Sequence, residues 1–192
     1  MRILNQQDLL QDEELKKEFL SIVREGSVFI HPTDTVYGLG CSIDFPESIK
    51  KIYQLKQRPE NNPMSIVAPS KEWIYQNFNV SEANKTFIEN LLPGPYTVVL
   101  KLKTKFPPAV VKDNAVGIRI PKNLVTDLIR KEGITFISTS LNISEQEVVT
   151  KLEDIPKQIE EGVKIAIDAG QLRSAASRVF DLTTDEVRII RP

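Results

Sequence analysis

Short β-rich apolar runs alternate with helix-patterned stretches throughout this sequence. That alternation restricts the chain to folds in which helices pack on a sheet. Residues 27–30, 64–68, 96–103, 116–120, 134–138 and 163–167 are too short and too β-branched to be helices. Residues 8–25 carry Leu9, Leu10, Leu15, Phe19, Ile22 and Val23 on one helical face, and Gly26 is placed to stop that helix. Residues 46–55 form a second helix with Pro46 in its first turn, and Pro59 disfavours helix at Arg58. Lys56 and Arg58 therefore emerge at a helix C-terminus. Residues 72–78, 81–92, 124–132 and 155–161 supply further helices. The pattern predicts roughly seven strands and five or six helices in an α/β fold. Its expected core is a twisted, largely mixed or parallel sheet flanked by helices. No repeat or linker interrupts it, so residues 1–192 are expected to form a single domain.

The ionisable and sulfur-bearing residues narrow the chemistry. Lys and Arg total 25 against 26 Asp and Glu, a net charge of −1, which argues against constitutive charge-driven nucleic-acid binding. The chain has one cysteine, Cys41, and one histidine, His31, so neither a disulfide nor a Cys/His zinc site can form within it. His31, before Pro32, reads as a strand-end histidine in an apolar slot rather than as a triad base. No apolar run reaches membrane-spanning length and the N-terminus lacks a signal-like apolar region. A cytoplasmic protein without a membrane partner is expected. P-loop, Rossmann and H-E-x-x-H motifs are absent.

Polar clusters remain at the ends of the apolar runs. Thr33, Asp34, Thr35 and Tyr37 form the first, and Lys56, Arg58 and Asn62 the second. Arg119 lies within an apolar strand. S-T-S-L-N at 138–142 follows another, and Ser177, Arg178 and Arg191 lie near the end. Each has an ordinary reading: dipole complementation after a helix, turn or cap residues, or a solvated strand face. Together, hydroxyl and amide groups plus several cations at strand ends suit a pocket for an anion.

These motifs resemble the threonylcarbamoyl-AMP synthase family of the YrdC/TsaC type. The resemblance rests on H-P-T-D-T-V-Y-G-L-G, K-Q-R-P-E-N-N-P-M, L-P-G-P-Y-T-V-V-L, V-G-I-R-I-P, S-L-N, I-D-A-G and S-R-V-F-D-L, in family order from about residue 27 to 192. It implies a YrdC-like sheet with a concave positive cleft. It also implies synthesis of L-threonylcarbamoyladenylate and pyrophosphate from L-threonine, bicarbonate and ATP, for t6A modification of tRNA. Mg²⁺ would accompany ATP, and tRNA or tRNA-modification proteins would be transient partners. By the same resemblance Lys56 and Arg58 are catalytic. Thr35, Arg119, Ser138 and Ser177 bind threonine. Lys56, Arg58, Asn62, Ser140, Asn142 and Arg191 bind ATP. No protein metal ligand is implied.

The chemistry implied needs no enzyme nucleophile, which agrees with the missing Ser/His or Cys/His pair. Three positions depart from the family pattern: Val67 replaces a usual histidine, Glu145 a usual glycine, and Arg178 a usual threonine. The chain stops at R-I-I-R-P, so the C-terminal domain of the longer family branch is not expected. Two other readings stand beside the synthase: a paralogue with other nucleotide-dependent carbamoyl or adenylate chemistry, and a non-catalytic RNA-binding module.

Overall fold

The computed structural model describes residues 1–172 and 175–192. The chain opens with strand β1 (Arg2–Asn5) and helices α1 (Gln6–Gln11) and α2 (Glu13–Arg24). The hairpin strands β2 (Phe29–His31) and β3 (Gly38–Ser42) follow, then α3 (Pro46–Leu55) and β4 (Ile66–Val67). Next come α4 (Lys71–Asn77), β5 (Phe78–Asn79), α5 (Glu82–Leu91), β6 (Tyr96–Leu102), β7 (Ala115–Arg119) and α6 (Leu124–Lys131). The chain ends with β8 (Phe136–Ser140), α7 (Lys157–Gly162), β9 (Ile165–Asp168), β10 (Arg178–Asp181) and β11 (Arg188–Arg191).

Local sequence explains most of these boundaries. The 8–25 pattern is divided at Asp12, whose side chain accepts from the N–H groups of Glu14 and Leu15 and caps a new helix. One expected helix is therefore two. Gly26 does end the second, in a left-handed conformation at φ +76°. Pro46 opens α3, and the chain leaves it at Lys56. The sequence pattern marks no strand between residues 31 and 45, yet β3 occupies Gly38–Ser42. Its glycines permit close approach: a Cβ at Gly40 would lie 2.7 Å from the Ile137 carbonyl on the neighbouring strand.

Among the described residues the sheet is mixed and runs β1-β9-β2-β3-β8-β4-β7-β6-β10-β11, with β5 added on β6. Pairs β1/β9, β2/β9, β4/β7 and β6/β10 are parallel, and the others are antiparallel. Successive residues point to opposite faces. Ile30, Ile66, Ile118 and Ile137 join one core with Ile49 and Ile52 of α3, Ile74 of α4 and Ile88 of α5. Phe29, Val67, Phe136 and Ile165 join a second with Phe19 and Val23 of α2 and Val125 and Ile129 of α6. Helices thus cover both faces, and burying each large aliphatic side chain contributes about 1.5–3 kcal/mol. Trp73 packs on Phe78 and Phe106, so this aromatic group belongs to the core. Cys41 is fully buried. No described helix is long and apolar enough to cross a membrane.

Candidate functional site

Strand register gathers the distant polar clusters at one end of the sheet. Gly38 pairs with Ser140 and Gly40 with Ser138, which sets the start of β3 beside the end of β8. Val98 pairs with Ile118, so Thr97 and Arg119 are close across β6 and β7. Thr97 also pairs with Val179, and Val179 with Arg191. The resulting cleft is lined by Thr33, Thr35, Gly38, Arg58, Ser65, Thr97, Arg119, Ser138, Ser140, Ser177 and Arg191, with apolar neighbours.

Three arginines converge on this cleft. Arg119 is only 7% exposed; its Nη2 donates to Asp34 Oδ1 at 3.1 Å and Thr35 Oγ1 at 3.2 Å. Its buried Nε has no partner. Burial lowers the Arg119 pKa, Asp34 opposes that shift, and Arg191 adds to it. Arg58 donates to the Asn62 carbonyl and side chain at 2.7 and 2.9 Å, and to the Pro63 carbonyl at 3.0 Å. Arg191 donates to the Ser177 carbonyl and hydroxyl. Burial lowers the pKa of both, with Tyr53 partly opposing it for Arg58. Among the described residues only Arg119 of the three has a carboxylate partner.

Hydroxyls fill the spaces between the cations. Thr33 donates to the Val36 carbonyl at 2.6 Å, so its oxygen accepts from the Thr35 hydroxyl at 2.9 Å. The Thr35 proton therefore points away from Arg119. Ser177 Oγ lies 2.9 Å from Thr97 Oγ1 and accepts from Arg191 at 3.0 Å. Ser138 Oγ lies 3.2 Å from Nε2 of the fully buried His31. Ser140 donates to Asn142 Oδ1 at 2.7 Å. The wall below β3 is held by Tyr37, whose hydroxyl donates to the Gly170 carbonyl at 2.7 Å and accepts from the Ala169 N–H at 2.9 Å.

Lys56, Asn62 and Asn142 support the cleft without lining it. Lys56 is 1% exposed, and its ammonium donates to the Ser140 carbonyl, the Asn142 carbonyl at 2.8 Å and Asn142 Oδ1 at 3.0 Å. All three of its protons are thus committed to the end of β8 and the loop after it. Burial and the nearby Arg58 charge lower its pKa to about 7, although three acceptors and no donor face it. Asn142 in turn donates to the Ile143 and Gln146 carbonyls at 2.9 and 2.8 Å. Lys56, expected to act directly, thus has no proton left to face the cleft.

The three departures also have places. Val67 is fully buried in register with Arg119 and Phe136, and offers only apolar surface. Glu145 adopts φ +68°, the left-handed region that favours glycine. Arg178 is exposed and lines a second pocket with Asp34, Thr35, Pro95, Tyr96 and Ala176, next to the cleft. Ser65 and Thr97 line the cleft but are absent from the sequence-based candidates. Each is a single hydroxyl in an extended stretch; a hydroxyl interrupting an otherwise apolar buried run was the available signal.

The lining does not suit a protein-built Mg²⁺ site. No Asp or Glu lines the cleft among the described residues, and no group of three His, Cys, Asp or Glu could hold a metal there. The nearby Asp34 carboxylate is committed to Arg119 and to the Lys122 N–H at 2.9 Å.

The Sua5/YciO/YrdC domain model, described as "Telomere recombination", matches residues 21–192. A Methanocaldococcus jannaschii protein whose name assigns it provisionally as a threonylcarbamoyl-AMP synthase is 35% identical over 187 residues, covering 95% of this chain and 88% of the relative. A Bacillus subtilis threonylcarbamoyl-AMP synthase is 29% identical, and the match covers 90% of this chain but 51% of the relative. The structure of P. abyssi Sua5 complexed with L-threonine superposes with a TM-score of 0.88 at 25% identity, over 100% of this chain and 56% of that one. E. coli YciO superposes with a TM-score of 0.86 at 26% identity, over 99% of this chain and 93% of that one. The chain thus spans about half the length of some relatives and most of the length of others.

Proposed function

This chain belongs to the Sua5/YciO/YrdC domain family, and from that premise we propose that it is a threonylcarbamoyl-AMP synthase. It joins L-threonine, bicarbonate and ATP into L-threonylcarbamoyladenylate, releasing pyrophosphate and water. One observation carries the reading. Three arginines meet at one cleft, two lack a carboxylate partner among the described residues, and the buried Arg119 Nε has no partner. An unpaired buried donor costs about 1–3 kcal/mol, which a bound anion offsets.

Arg58, Arg191 and Ser140 hold the triphosphate of ATP, with bidentate arginine contacts. Arg119, whose buried Nε has no partner in the protein, holds the threonine carboxylate, while Thr35, Ser138 and Ser177 orient the amine and hydroxyl. Lys56, Asn62 and Asn142 fix the walls that present Ser140 and Arg58. The threonine nitrogen attacks the bicarbonate carbon. A C–N bond forms, a C–O bond breaks, and water leaves with protons from the amine and the bicarbonate hydroxyl. A carbamate oxygen then attacks the α-phosphorus as the bond to pyrophosphate breaks. The residues contribute placement and neutralisation of the phosphate charge. Mg²⁺ enters as part of the ATP substrate rather than on protein ligands. Residues 1–192 act as one catalytic unit in the cytoplasm, and the adenylate is passed to tRNA modification.

Threonine-dependent pyrophosphate release tests this reading. Arg58→Ala and Arg191→Ala should each raise the KM for ATP about 10- to 100-fold, the scale of a charge-assisted contact. Release that ignores threonine, or ATP dependence untouched by both substitutions, would sink the proposal. Val67 favours a second reading, a paralogue that carbamoylates another amine, because the position in register with Arg119 is fully buried and carries no polar group. Replacing threonine by other amino acids in the same assay separates the two.

A further inference from the structure

His31 lies outside every role assigned above, yet it is the only histidine and touches a cleft residue. Its Nδ1 is 3.1 Å from the Pro32 carbonyl oxygen, which can only accept, so Nδ1 carries a proton. The ring lies between Phe29 and Phe136, with centroids 5.5 and 5.4 Å away, and has no exposed surface. That apolar setting favours the neutral imidazole, whose Nε2 is then a bare acceptor. The Ser138 hydroxyl, 3.2 Å away, is the group that donates to it. Gly38 closes the remaining side: a Cβ there would lie 2.6 Å from Nε2 and 3.0 Å from Ser138 Oγ.

We infer that His31 is a positioning residue that holds the Ser138 proton against the sheet, so that the cleft meets Ser138 as a hydrogen-bond acceptor for the amine of the amino-acid substrate. Thr35 is oriented in the same sense by Thr33, since its own proton points to Thr33 Oγ1. Two acceptor hydroxyls therefore line the cleft that Arg119 also lines, and one of them, Thr35, lies 3.2 Å from its guanidinium. That arrangement matches an α-amino acid, whose amine donates while its carboxylate accepts. The inference rests on the proposed synthase reading, which supplies the amine.

Steady-state kinetics of His31→Phe and His31→Gln test it, with thermal melts to confirm folding. The phenylalanine keeps the ring and removes the acceptor; the glutamine retains an acceptor. His31→Phe should raise the KM for threonine about tenfold and leave the KM for ATP within about twofold. His31→Gln should keep the threonine KM within about threefold of the unsubstituted protein. An unchanged threonine KM in His31→Phe, equal loss for both substrates, or no rescue by glutamine would overturn the inference. Nitrogen-15 spectra of the single imidazole provide a measurement that needs no variant. At neutral pH they should report a protonated Nδ1 and a bare, hydrogen-bonded Nε2; the opposite tautomer or an imidazolium overturns it. Absence of threonine-dependent turnover in the unsubstituted protein would instead remove the synthase reading itself.

Discussion

Protonating His31 means placing a charge between Phe29 and Phe136 and near the Arg119 cation. Burial is the larger cause, Arg119 adds to it, and the Pro32 hydrogen bond opposes it; together they lower the pKa from 6.5 to about 4. Between those values the unfolded chain binds the proton and the folded chain does not. His31 thus leaves stability intact above about pH 6.5 and removes it progressively as the pH falls toward about 4. The total is roughly 3 kcal/mol. Urea unfolding at several pH values should show this slope, and His31→Gln should flatten it; an equal slope in both proteins would contradict the burial argument. Lys56 poses a different question at the same scale. Lys56→Met leaves three oxygens of the β8 loop without their donor and should cost about 2–4 kcal/mol. The Ser144 amide, which donates to the Lys56 carbonyl, should then exchange its hydrogen faster. A fall in kcat with stability and exchange unchanged would instead place the ammonium in the chemistry.

Elements differ in how openly the sequence announces them. Helix α3 was legible in full, because a first-turn proline and inward Ile49, Ile52 and Tyr53 all point the same way. The division between α1 and α2 was not, because Leu9, Leu15 and Phe19 continue one apolar face across it. Only the Asp12 cap reveals the break. Strand β3 was hidden for a different reason: its Gly38 and Gly40 suit a turn locally, while pairing with β2 on one side and β8 on the other makes it extended. The loop after β8 carries a related local conflict. Glu145 occupies a left-handed conformation that costs an L-residue about 1–2 kcal/mol. Glu145→Gly should therefore raise stability by up to about 1 kcal/mol, after the extra freedom glycine gains in the unfolded chain. A loss of stability in urea unfolding would show that the glutamate side chain contributes more than the strain removes.

At the level of the whole molecule, the sheet converts separated sequence clusters into one electropositive cleft. Helices on both sides of a mixed sheet followed from the alternation of apolar runs. The strand order did not, since register between β3 and β8 or β6 and β10 depends on contacts far apart in the chain. The same limit applied to the site. Arg58 stood out after a helix, and Arg119, Ser138, Ser177 and Arg191 in or near apolar runs, and all five line the cleft. Sequence position could not reveal that Lys56 and Asn142 support the wall from behind, or that Ser65 and Thr97 face the cleft. Nor could it show that His31 meets Ser138 across β3. If this cleft joins three substrates into one adenylate, mass spectrometry of a reaction with carbon-13 bicarbonate, L-threonine and ATP should find a threonylcarbamoyl-adenylate that carries the label and forms only when all three are present. Pyrophosphate released without that labelled adenylate, or a labelled product formed without threonine, would show that the cleft does other chemistry.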